Sequence, residues 1–110
     1  MARDNDALQG TLDLLVLKAL AQLGGMHGFG IALHIQQVSG DVLRVQEGSL
    51  YPALRRIEKT GWIAAEWKTT ENNRRAKYYR LTAEGRRRLA HEERNWAQIV
   101  KGVGAVLRYE

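Results

Sequence analysis

The apolar residues of this chain recur at helical intervals in four stretches and at every second position in two more, and each stretch ends at a recognisable stop. Leu12, Leu15, Ala19 and Leu23 lie at spacings of three and four before Gly24-Gly25, which predicts a first helix over residues 11–23 after a few disordered residues. Leu14, Val16, Leu17 and Leu20 make this helix apolar nearly all round and leave Asp13, Lys18 and Gln22 for water. In so small a chain that implies contact with both its own core and a second subunit. A second helix is predicted over residues 28–39, where Ile31, Ile35 and Val38 form one stripe and Ser39-Gly40 closes the run. His27 is expected to be a hydrogen-bonding residue at its start. Leu50, Ala53, Leu54 and Ile57 mark the buried face of a third helix that ends at Thr60-Gly61 and begins between Glu47 and Leu50. Ser49 is its expected N-cap, with Pro52 in the first turn, where a missing N–H leaves no intrahelical bond unmade.

After Gly61 the period changes to two. Ile63, Ala65 and Trp67 alternate with Ala64, Glu66 and Lys68, and Tyr79 and Leu81 alternate with Tyr78 and Arg80. These are two strands joined as a hairpin through the segment containing Asn72-Asn73. Trp62 and Trp67 are expected to fill or edge the core. Thr82 then caps a long last helix with Glu84 in its first turn, and Leu89, Trp96, Ile99, Val100, Val103, Val106 and Leu107 give it an apolar seam on near-heptad spacing.

This order defines the expected fold class: mainly α with a small β-hairpin, a winged helix-turn-helix in residues 1–81 followed by a C-terminal dimerisation helix in residues 82–110, together one structural domain. The 110 residues suffice for a single core, and no repeat or linker-like stretch divides them. Apolar runs are too short for a membrane span and no basic flank precedes a hydrophobic stretch near Met1, so a cytoplasmic location is expected. The absence of cysteine excludes a disulfide framework and a thiolate metal site.

Charge sharpens the picture because it is local. Residues 1–47 carry three cations against five anions, residues 48–81 eight against three, and residues 82–110 six against four. The positive field belongs to the third helix and the hairpin, which favours nucleic acid over a membrane surface. Opposite the buried stripe of the third helix stand Gly48, Pro52, Arg55 and Lys59, flanked by Ser49 and Arg56 on one side and Tyr51 on the other. A small N-terminal end permits close approach to base edges, and Arg55 can offer a bidentate fork to guanine. At the hairpin tip Arg74, Arg75 and Lys77 can reach phosphate or a narrow minor groove. Each patch alone could be a solvated face or an ordinary polar turn; together they point to duplex DNA. A winged-helix module that binds protein or RNA is the alternative, and a steep salt dependence of duplex binding separates the two.

Several motifs in order make the chain recognisable. The runs Leu12-Asp13-Leu14-Leu15-Val16-Leu17, His27-Gly28-Phe29-Gly30-Ile31, residues 47–58 (EGSLYPALRRIE), Gly61-Trp62-Ile63 and residues 74–82 (RRAKYYRLT) resemble the PadR family of bacterial transcription regulators, over nearly the whole chain. The length is similar to its short subfamily with a single C-terminal helix. The resemblance implies a homodimer joined through the last helix packed against the first, acting as a repressor. Phe29 departs from it, because the family usually has Tyr there, and a hydroxyl contact to the DNA backbone at that place is lost.

The dimer residues expected from the two apolar helices are Leu12, Leu15, Leu89, Trp96, Val100, Val103 and Leu107. Trp96 sits at the middle of the seam, where two copies could line a flat slot for a planar aromatic effector, although an interface anchor is its plainer role. His27, His34 and His91 lack metal-ligand spacing, and no nucleophile–base set or phosphate-cradling Gly loop is present. No catalytic residue, metal or cofactor is expected, and the chain is read as a regulator, not an enzyme.

Overall fold

The computed structural model describes the backbone of residues 2–108 and the side chains of residues 10–108. Its elements run α1 (Ala2–Leu23), β1 (Met26–His27), α2 (Gly28–Val38), α3 (Glu47–Thr60), β2 (Ile63–Thr69), β3 (Arg75–Leu81) and α4 (Ala83–Leu107). The helical periods and the hairpin appear where the apolar pattern places them. Helix α1 and strand β3 begin earlier than the pattern places them, β3 at Arg75 instead of Lys77, and α3 starts within the expected range but has a different cap. Helix α1 already begins at Ala2, because the polar residues Arg3 to Asp6 carry no apolar period to announce a helix, yet the backbone ladder continues through them. Helix α3 begins at Glu47 with Gln46 as its cap residue, so Ser49 lies inside the first turn and is not the N-cap. Pro52 therefore sits beyond the first turn, where it withholds one N–H from the ladder.

The sheet has a third strand. Its order is β1-β3-β2, with β1 antiparallel to β3 through Met26↔Tyr79 and His27↔Tyr78, and β2 antiparallel to β3 from Ile63↔Leu81 to Thr69↔Arg75. Two residues are too few to show a period, which is why β1 is invisible in the sequence. The expected caps are present: the Gly30 N–H donates to His27 Nδ1 at 3.0 Å at the start of α2, and the Gly85 N–H donates to Thr82 Oγ1 at 3.0 Å at the start of α4. Gly61 ends α3 in the left-handed conformation at φ 88°, which favours glycine.

One core unites these elements. Val16, Leu17 and Leu20 from α1 pack with Ile31 and Ile35 from α2, Leu50, Leu54 and Ile57 from α3, and Ile63, Tyr79 and Leu81 from the sheet. Leu89 of α4 joins them at 7% exposure. Beyond Leu89 the last helix leaves the core and runs on beside α1, where Glu92, Asn95, Trp96 and Ile99 border a shallow cleft with Gly10, Thr11 and Leu14. The chain measures 52 × 29 × 29 Å with a radius of gyration of 15.0 Å, larger than the roughly 13 Å of a compact chain this long. Two ion pairs tie α1 to its neighbours: Lys18 to Glu93 of α4 at 2.9 Å, and Asp13 to Arg56 of α3 at 2.5 Å. Among the described residues, no helix is long and apolar enough to cross a membrane.

Candidate nucleic-acid interface

Alternation along the hairpin builds the site. The face that carries Ile63, Leu81, Ala65 and Tyr79 points at the core, and the next pairs outward on that same face are Trp67↔Lys77 and Thr69↔Arg75. The ribbon is longer than the core, so these residues overhang. They face α3 across an open cleft of about 640 Å³, lined by Tyr51, Arg55 and Glu58 of α3, by Trp67, Asn72, Arg74, Arg75 and Lys77 of the wing, and by His27 and Phe29 at the start of α2. At the tip, the Asn73 N–H donates to the Thr70 carbonyl at 2.9 Å and Asn73 adopts φ 62°, a left-handed turn that asparagine tolerates. Arg74 and Arg75 stand exposed beside it.

The structure separates the sequence-derived contact residues. Tyr51 and Arg55 are exposed on the cleft side of α3, and Arg74 and Arg75 face them from the wing. Lys59 is exposed near the C-terminal end of α3. Ser49, Pro52 and Arg56 instead line a second cleft of about 500 Å³ on the opposite flank, together with Leu12, Leu15 and Leu43. Two of the cations, Arg56 and Lys77, are already engaged. Arg56 is paired with Asp13, and Lys77 with Glu58 at 3.1 Å, so neither extends freely from the surface as the pattern suggests. Burial drives the Asp13 carboxyl above its ordinary 3.8, with the Arg56 hydrogen bond and charge working against that rise. Burial likewise pushes the Tyr79 hydroxyl up at the inner end of the cleft.

Trp67 is the residue the alternation misplaces. It was expected at the core edge, but it is 58% exposed on the overhang, and the Arg75 guanidinium lies 5.4 Å from its ring centre. The distance of Trp67 from Ile63 along the strand is the signal that it has outrun the core. Phe29 is 66% exposed at the start of α2, beside the cleft.

The residues expected at a dimer interface also divide. Leu12 and Leu15 pack partly against the core, and Leu89 is buried within its own chain, so the exposed seam begins later than the heptad pattern implies. Trp96, Ile99, Val100, Val103, Val106 and Leu107 are all exposed along the C-terminal half of α4.

Residues 16–91 match the transcriptional regulator PadR-like family. The chain belongs to this family. It is similar to a transcriptional regulator from Clostridium thermocellum, 28% identical with a TM-score of 0.81 over 91% of this chain and 96% of that one. It is also similar to a PadR family transcription regulator from hypervirulent Clostridium difficile, 30% identical with a TM-score of 0.72 over 87% and 97%. Bacillus subtilis PadR, solved in complex with operator DNA, shares the fold at 22% identity and a TM-score of 0.66 over 74% of this chain and 44% of that one. Membership of the PadR-like family makes the chain a transcriptional regulator and not an enzyme. The match runs from the core of α1 to the first half of α4, so the PadR-like frame contains both walls of the cleft but not the exposed end of α4.

Proposed function

We propose that the chain is a homodimeric, cytoplasmic repressor that reads a pseudo-palindromic duplex operator and is released by an inducer. The observation that carries this reading is the cleft whose two walls present Arg55 with Tyr51 from one helix and Arg74 with Arg75 from a wing. A recognition helix in the major groove and a wing on the adjacent backbone or minor groove need that arrangement, and Bacillus subtilis PadR, which shares the fold, was solved with operator DNA. In this reading residues 1–81 read DNA and residues 82–110 dimerise. Arg55 supplies base discrimination with Tyr51 beside it and Lys59 farther along the same helix, Ser49 and Pro52 approach the duplex from the other flank of α3, and Arg74 and Arg75 hold phosphate. The exposed apolar seam of α4, Trp96 to Leu107, supports a two-fold partner, because six exposed apolar side chains in one helix of a small domain are normally covered. Trp96, 43% exposed at the start of that seam, is the candidate contact for a planar aromatic inducer on the dimer axis.

The deciding experiment compares wild type with Arg55→Ala on a duplex selected from a random pool and on an unrelated duplex. A loss of about 1–3 kcal/mol confined to the selected duplex is expected. Equal losses on both would reduce Arg55 to a phosphate contact, and duplex binding insensitive to salt would favour a protein- or RNA-binding module.

A further inference from the structure

Every charged residue lining the cleft between α3 and the wing is a cation except one. Glu58 is the only acid among the described lining residues, and its carboxylate accepts a hydrogen bond from Lys77 Nζ at 3.1 Å, with about a third of each side chain exposed. Lys77 stands opposite Trp67 in the ribbon, and its ammonium lies 5.8 Å from the ring centre of Tyr79, at the core end of the cleft. With about a third of each side chain in water, the pair contributes modestly to folding stability. Its effects are on charge and geometry. It neutralises a wing cation that reaches the recognition helix, and among the described residues it is the ion pair that joins that helix to the wing.

We propose that Glu58 is a specificity-determining residue, which withholds Lys77 from the phosphate backbone and braces α3 against the wing. The inference rests on the DNA-reading assignment above and deepens it. Phosphate contacts add affinity for every sequence alike, so withholding one cation lowers the affinity for all duplexes and the salt slope but leaves the ratio between them to the brace. A braced wing also couples its grip on the backbone to the register of α3 in the groove. Without the brace, the wing holds phosphate whether or not Arg55 meets its base.

The test uses the full chain as wild type, Glu58→Gln, and Glu58→Gln with Lys77→Gln. Each is titrated across a salt series with a duplex selected by the wild type from a random pool and with an unrelated duplex of equal length. Glu58→Gln is expected to bind the unrelated duplex about fivefold more tightly at 0.1 M salt, with a salt slope steeper by about 0.9 per protomer. Its affinity for the selected duplex should stay near the wild-type value, because the freed cation is offset by the lost brace, so the selected-to-unrelated ratio falls by about the same factor. In the double variant the slope should return to the wild-type value while the ratio stays low, because the cation is gone but so is the brace. A Glu58→Gln protein with wild-type slope and ratio overturns the proposal, as does a uniform loss of affinity on both duplexes. A double variant that regains the wild-type ratio overturns the brace. A wild-type chain that selects no duplex would overturn the DNA-reading assignment itself, a result separable from all of these.

Discussion

Gly85 is where α4 meets the winged part most closely, and Gly85→Ala should detach the two. A Cβ built on Gly85 would lie 2.0 Å from the Trp62 carbonyl oxygen and 2.9 Å from Leu81 Cδ1, below the 3.0 Å that real Cβ atoms respect. The obstacle is backbone, so the first turn of α4 must retreat by about 1 Å. That oxygen accepts the Thr82 N–H at 3.1 Å, and the Thr82 hydroxyl donates to the Gly61 carbonyl at 2.7 Å. The retreat stretches both bonds at the joint that carries the helix cap. Two hydrogen bonds at about 1 kcal/mol each and overpacking of about 1–3 kcal/mol outweigh the roughly 1 kcal/mol gained by alanine over glycine in a helix. A net loss of about 2–4 kcal/mol follows, or a fall in Tm of roughly 10–25 °C for a chain this size. Denaturation followed by circular dichroism at one fixed protein concentration measures it, since dimerisation makes apparent stability depend on concentration. Gly10→Ala is the control, with no heavy atom within 4 Å of its Cβ. If Gly85→Ala proves as stable as wild type, the close packing of α4 on Trp62 is wrong.

Arg74→Ala with Arg75→Ala should weaken binding to all duplexes and flatten the salt slope by up to about 1.8 per protomer; an unchanged slope would remove the wing from the contact surface. Val103→Glu would bury an unpaired carboxylate from each copy in the α4 seam, at a cost of several kcal/mol per dimer, so sedimentation should show monomer. A wild type that is monomeric at micromolar concentration would sink that account. With the dimer intact, Trp96→Ala should abolish quenching of Trp fluorescence by a planar aromatic inducer while leaving operator affinity within about tenfold; dissociation of the dimer instead would make Trp96 a packing anchor. Asp13 gives a pH test: its folded carboxyl titrates above 3.8, so its burial penalises folding at neutral pH and is relieved as pH falls through the folded value. Thermal melts from about pH 7 to about pH 4 should therefore show wild type gaining on Asp13→Asn. A gap that moves the other way would mean that Arg56 outweighs burial.

Local pattern alone determined most of this protein. A helix needs an apolar residue at every third or fourth position and a strand at every second, so the Leu50-Leu54-Ile57 stripe, the Tyr79-Leu81 alternation, the Gly61 stop and the His27 and Thr82 caps were all legible without coordinates. Arg55, Arg74 and Arg75 were legible as exposed cations for the same reason, because the residues facing away from a buried stripe stay at the surface when nothing else packs on them. Where a neighbouring element does pack on them, the pattern is silent. Arg56 and Asp13 are 43 residues apart in sequence and Lys77 and Glu58 are 19 apart, and only the folded chain decides that each cation meets an acid instead of solvent. The depth of the core is likewise a tertiary quantity: it ends between Ala65 and Trp67 on the ribbon, leaving an aromatic outside, and it reaches Leu89 on α4, taking in a residue whose spacing matches the exposed seam beyond it. Periodicity tells which face of an element is apolar, but the reach of the opposing elements decides how much of that face is covered.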